Sequence, residues 1–160
     1  AGVVVLTRSE GRTDPLDGGL AGLVAGRPVL RTRIRPTTLV ATDGTEMPLA
    51  HLAGRTVFAF AGIARPESFR QTLEGLGASV AGFAAFPDHH RFGAEDVRQI
   101  ERGLDETGAE ILVTTEKDGV KLSGLAAFSG RLFCLAIETE ILEGAEGLET
   151  ALRVIIPHRR

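Results

Sequence analysis

One cysteine, two lysines and no long apolar run set the first limits on this chain of 160 residues. Cys134 stands alone, so an internal disulfide is excluded. Within the apolar segment 131–137 it reads as a core filler rather than a nucleophile, and a reducing compartment fits best. No apolar stretch approaches the roughly 18 residues that span a bilayer. Residues 1–20 lack a charged start followed by a long apolar block, so no secretory leader is expected. Excess charge is missing as well. With 18 basic and 21 acidic residues the formal charge is −3, and the pI near 5.8 leaves no electrostatic footprint for generic nucleic-acid binding. The histidines include no His-x-x-x-His pair and the lone cysteine allows no Cys-x-x-Cys, so no metal site is expected.

What is present suits one compact domain with appendages, since 43% of the residues are hydrophobic and the length suffices for a single well-buried core. The run Val3-Val4-Val5-Leu6 reads as a buried strand that wants neighbours upstream. With no initiator methionine, a fragment lacking its N-terminal part is expected. A polar loop follows over 9–19 and an apolar patch over 20–25. Residues 29–34 and 38–40 read as extended segments separated by a break at Pro36, and Asp43-Gly44 is a favoured two-residue hairpin turn. Arg27, Arg31, Arg33 and Arg35 cluster here. Arg31 and Arg33 share a parity opposite to Leu30 and Ile34. By parity alone this is a solvated hairpin face.

From residue 55 onward strands and helices alternate. Strands are expected at 56–61, 79–86, 111–115 and 130–137. Helices are expected from Pro66, favoured at a first helical position, to Gly77, from about Ala94 past Leu104, and over 147–155. Glu95 and Asp96 sit in the first turn of the second helix, where the helix dipole favours acids. Such alternation predicts an α/β fold with a mostly parallel sheet flanked by helices, joined to a short β-hairpin linker. Ligands in such sheets bind beyond the carboxyl ends of the strands. The loops 62–66, 87–93 and 115–121 would share one rim if their strands are neighbours.

Two strings on that rim carry chemistry. In Phe86-Pro87-Asp88-His89-His90, Asp88 could fix the tautomer of His89 and leave its other nitrogen to handle a proton near neutral pH. The alternative is that Asp88 bonds loop amides and the histidines are solvated. In Thr114-Thr115-Glu116-Lys117-Asp118-Gly119-Val120-Lys121, which holds both lysines, Lys117 or Lys121 could meet phosphate as a point charge, and Glu116 could hold a sugar hydroxyl or another loop. The alternative has Asp118 capping a short helix while Glu116 and the lysines are solvated. His51 and His158 carry no assigned role.

These blocks, together with Val57-Phe58-Ala59-Phe60-Ala61-Gly62-Ile63-Ala64-Arg65-Pro66-Glu67-Ser68-Phe69 and the opening Val3-Val4-Val5-Leu6-Thr7-Arg8, resemble the tetraacyldisaccharide 4'-kinases, the lipid A 4'-kinases of Gram-negative bacteria. The resemblance covers nearly the whole chain. It implies a kinase moving the γ-phosphoryl of ATP, with Mg2+, to the 4'-hydroxyl of tetraacyldisaccharide 1-phosphate, with peripheral contact at the cytoplasmic face of the inner membrane, where the face of Arg31 and Arg33 could meet anionic lipid headgroups or the substrate's phosphate. No Gly-x-x-x-x-Gly-Lys-Ser/Thr occurs in these residues, so ATP and Mg2+ would be held mainly elsewhere and the chain alone would be inactive. Residues 1–26 then correspond to the end of the nucleotide-binding core, 27–50 to a two-stranded linker and 51–160 to the C-terminal lobe. The resemblance implies catalytic roles for His89 and Asp88, and a cleft-lining, cofactor-side position for Thr115, Glu116, Lys117, Asp118 and Lys121. Gly119 departs from the family's usual alanine, a change expected to affect a turn. The other reading of the chain is a free-standing α/β binding module for a nucleotide or sugar phosphate.

Overall fold

The apolar runs 56–61 and 111–115 become adjacent parallel strands because nearly every side chain on them is buried, which a strand achieves only with cover on both faces. In the computed structural model, which describes residues 2–7, 22, 24–122, 128 and 130–155, the elements are β1 (Val4–Leu6), β2 (Val29–Ala41), β3 (Glu46–Met47), a 3-10 turn (Leu49–Leu52), β4 (Thr56–Ala61), α1 (Pro66–Gly75), β5 (Ser79–Ala85), α2 (Ala94–Thr107), β6 (Ile111–Thr115), α3 (Glu116–Leu122), β7 (Leu132–Glu143) and α4 (Ala145–Ile155). The expected polar loop, half of the patch over 20–25, Arg8 and His158 lie outside the described residues. Two compact units emerge, one comprising Pro36–Ala136 and the other Ala1–Arg35 with Ile137–Arg160.

In the Pro36–Ala136 unit the strand order is β5-β4-β6-β7, all parallel. Alternation along β4 divides the core. Phe58 and Phe60 pack with Val97, Ile100 and Leu104 of α2, while Val57, Ala59 and Ala61 pack with Phe69 and Leu73 of α1. The ring of Phe58 fills the space a side chain would need at Gly82 and at Gly103, so these two glycines let β5 and α2 close on it. Helix α1 opens on Pro66 as expected, and Gly77 at φ 87 follows its C-cap residue Leu76. Helix α2 starts where the Asp96 carboxylate reaches back to accept the Gly93 amide at 2.7 Å. The chain does turn at Asp43-Gly44, but through a three-residue loop rather than the two-residue turn expected: Val40 pairs with Glu46, and Gly44, at φ 84, donates to the Ala41 carbonyl at 2.9 Å.

In the other unit β1 and β2 are parallel and β2 neighbours β7. Arg31, Arg33 and Arg35 face Glu143, Glu140 and Glu138 at 3.5, 2.7 and 3.5 Å. The numbers climb on one strand as they fall on the other, as in an antiparallel pair. This arginine face is therefore a ladder of alternating charge. Leu30 and Thr32 point inward and are buried, whereas Ile34, expected beside Leu30, is exposed.

Two strand limits also differ from those expected. Pro36 does not interrupt β2, because an extended backbone accommodates the fixed proline φ and only one ladder donor is lost. Strand β7 does not stop at Ile137 but runs to Glu143; its outer half carries Glu138 and Glu140, which an apolar-run criterion excludes and which the arginines of β2 satisfy.

Candidate functional site

Because β5, β4 and β6 are neighbours and parallel, the loops that leave their carboxyl ends meet on one rim, as the sequence pattern requires. Gly62, just after β4, is the meeting point. A side chain there would press on Asp118 Oδ1, the His90 Cβ and the Pro87 carbonyl, each at 3.3 Å. All three loops therefore approach within contact of one glycine.

Asp118 lies beneath the rim, not on its surface: it is 0% exposed. Its Oδ2 accepts the Gly62 amide at 2.8 Å and the Thr115 hydroxyl at 2.9 Å, and its Oδ1 accepts Lys121 Nζ at 2.8 Å. The Thr115 oxygen in turn accepts the Asp118 amide at 3.2 Å, which caps the first turn of α3. A buried carboxylate is tolerable only when its lone pairs are filled in this way. Lys121 also lies 5.8 Å from the centre of the Phe92 ring. The Thr-Glu-Lys-Asp string thus begins a helix in which Asp118 is a buried anchor as well as part of a cap. Glu116 and Lys117 are exposed.

Asp88 is on the surface. Its Oδ1 accepts Lys117 Nζ and the His89 amide, both at 2.9 Å. The Lys117 ammonium, with the His89 amide adding to it, holds the Asp88 carboxyl below the usual carboxylate range, against a smaller opposing effect of desolvation. His89 is the one non-glycine residue with positive φ among those described, at 60°, and its side chain is 80% exposed. Its Nε2 stands 3.9 Å from Asp88 Oδ2, a charge contact too long for a hydrogen bond. The imidazole is thus projected into solvent beside a carboxylate that a lysine already holds. His90 behaves otherwise. It stacks on Phe86 with ring centres 4.9 Å apart and meets Phe92 edge-on, while its Nε2 lies 3.0 Å from Asp96 Oδ2 without hydrogen-bond alignment. Desolvation pushes the Asp96 carboxyl up, but the Gly93 amide and His90 bring it below its ordinary value.

The structure therefore brings together Asp88, His89 and Lys117 at the surface and Thr115, Asp118 and Lys121 just below it. The Lys117–Asp88 contact joins the two strings the sequence singled out. The sequence offered no signal for that pairing, since the partners are 29 positions apart. It also gave no sign that Gly62 serves as the common support. Gly119 sits inside α3, not in a turn as expected, and a Cβ there would run into Cys134 Sγ. Burial, with the nearby Glu116 and Asp118 carboxylates, raises the Cys134 thiol, which suits an inert packing role. His51 packs against Phe133 at 5.4 Å between ring centres. Among the described residues no group of three or more His, Cys, Asp or Glu is placed to hold a metal ion.

The model of the family described as tetraacyldisaccharide-1-P 4'-kinase matches residues 1–156. The chain belongs to that family. Among curated relatives, the tetraacyldisaccharide 4'-kinase of Syntrophus aciditrophicus is 41% identical over 84% of this chain and 37% of its own length, and that of Anaeromyxobacter sp. strain K is 44% identical over 83% and 36%. A crystal structure of LpxK from Aquifex aeolicus, an "apo" form in complex with ATP, superposes with a TM-score of 0.59 at 27% identity, covering 94% of this chain and 42% of that one. The chain thus spans between 36% and 42% of the length of these proteins. The fold they share is the mostly parallel sheet with flanking helices. Among the described residues no helix is long and apolar enough to cross a membrane.

Proposed function

We propose that this chain is the C-terminal part of a kinase of lipid A biosynthesis that transfers the ATP γ-phosphate to the 4'-hydroxyl of tetraacyldisaccharide 1-phosphate, working peripherally at the cytoplasmic face of the inner membrane. Residues 1–26 would close the nucleotide-binding core, 27–50 would link it and 51–160 would form the second lobe. Family membership supports the reaction class. The observation that carries the site is His89, projected from the rim on a left-handed backbone beside Asp88. A backbone conformation that L residues rarely adopt is retained where the surroundings hold it, and such places cluster at functional sites.

ATP and Mg2+ are implied by the family, and the residues present do not fit them by themselves. No phosphate-cradling glycine loop is in the sequence, and each lysine is held by an aspartate. What this chain supplies is proton handling. The acceptor hydroxyl must lose its proton as it attacks. His89, at the solvent edge, takes that proton on one ring nitrogen while Asp88 faces the other. Thr115, Glu116, Lys117, Asp118 and Lys121 make and support the wall behind it.

The proposal is tested by assaying ATP-dependent 4'-phosphorylation with the 160-residue chain and with the complete kinase containing it. Phosphoryl transfer depends on positioning and charge neutralisation by a phosphate cradle and Mg2+, so only the complete kinase should turn over. Activity in the isolated chain would contradict the division of labour; no activity in either would contradict the reaction.

A further inference from the structure

The chain's two lysines stand four positions apart on one short helix, yet they serve different aspartates. Lys121 turns down to the buried Asp118, and Lys117 reaches across to Asp88 in another loop. Lys117 leaves a turn that is tied to the neighbouring loop, because the next residue is the anchor that accepts the Gly62 amide and the Thr115 hydroxyl. Asp88 Oδ1 is shared between Lys117 Nζ and the backbone amide of His89, and His89 is the residue whose backbone is left-handed. A carboxylate held at a fixed place by an ammonium group thus fixes the amide of the strained residue. We propose that Lys117 is a positioning residue: by holding Asp88 it keeps His89 in the left-handed conformation that projects its imidazole from the rim. The inference rests on the reading of His89 as a proton-handling residue.

Among the described residues, the charged and titratable groups facing Asp88 are Lys117 from α3 and His89 from its own loop. With Lys117 in place Asp88 stays ionised further into acid. Without it, Asp88 protonates at higher pH, and the acceptor for the His89 amide is lost sooner on acidification. The same arrangement opposes a direct phosphate role for Lys117, whose ammonium is already paired.

Two measurements decide. On the 160-residue chain, NMR titration of the Asp88 carboxyl should show its midpoint rising in Lys117→Met and recovering in Lys117→Arg. In the complete kinase, Lys117→Met should lower kcat by up to about 10²-fold, the range for a misplaced reacting group, with KM for ATP within a few-fold. It should cost little more when Asp88→Asn is already present, because the lysine acts through Asp88. An unmoved Asp88 midpoint overturns the proposal. So do losses that multiply in the double variant, or a raised KM for ATP with kcat intact, which would place Lys117 on the nucleotide. If the Asp88 midpoint moves but His89→Ala turns over normally, the reading of His89 fails while the Lys117–Asp88 coupling stands.

Discussion

Asp88 and Asp118 each hold one lysine at nearly the same distance, 2.9 and 2.8 Å, in opposite surroundings. Asp118 is sealed from solvent and every contact it makes is internal to the rim. Asp88 is on the surface, and beyond Lys117 its contacts are with the histidine beside it. Like pairs thus do unlike jobs. A buried charge leaves a large uncompensated cost when its partners are removed, so Asp118 can act as an anchor. An exposed pair contributes little to stability, so Asp88 and Lys117 are free to be arranged for position.

The comparison breaks most easily at Asp118. Asp118→Ala leaves the Gly62 amide and the Lys121 ammonium without their acceptor and should destabilise the fold by about 3–5 kcal/mol. Thermal or urea unfolding measures this, and Asp118→Asn, which keeps an acceptor for Gly62, should lose less. A loss as small as that of an ordinary surface substitution would remove the distinction between the two aspartates.

Asp96 gives an intermediate case. Its carboxylate accepts the Gly93 amide at the start of α2 and faces His90, so Asp96→Ala should cost about 1 kcal/mol, the usual value of such a cap. The folded protein holds this carboxyl below its ordinary value. The associated stability is therefore fully present above the ordinary carboxylate range and is lost as pH falls through the lowered folded value. Melting curves of the wild type and Asp96→Ala should converge in acid; a constant gap would assign the effect to packing.

Asp88→Asn should have the smallest effect on stability. Its melting midpoint should stay near that of the wild type while kcat of the complete kinase falls. A large drop in melting temperature would make Asp88 an anchor like Asp118.

Much of this was legible in the sequence, and what was hidden had a common cause. Strands β4 and β6 occupy the very residues expected of them, because burial on both faces writes an unbroken apolar run. The shared rim followed from alternation of strands and helices. Contacts between distant polar residues leave no such trace. The outer half of β7 carried no strand signal because Glu138 and Glu140 find Arg35 and Arg33 roughly 100 positions away. Asp118 looked like a cap because nothing near it in sequence shows that the Gly62 amide needs a buried acceptor. The resemblance gave a role to His89 and none to His90, and packing supplies the physical difference, with one ring held among Phe86, Phe92 and Asp96 and the other turned to solvent.

The central claim is that the solvent-facing His89 performs chemistry. Steady-state kinetics of His89→Ala in the complete kinase, with melting temperature taken alongside, tests it most directly. Loss of a general acid or base should lower kcat by roughly 10²–10⁴-fold while KM for ATP stays within a few-fold and the melting temperature is unchanged. An enzyme with near-normal kcat and an intact fold would contradict the account.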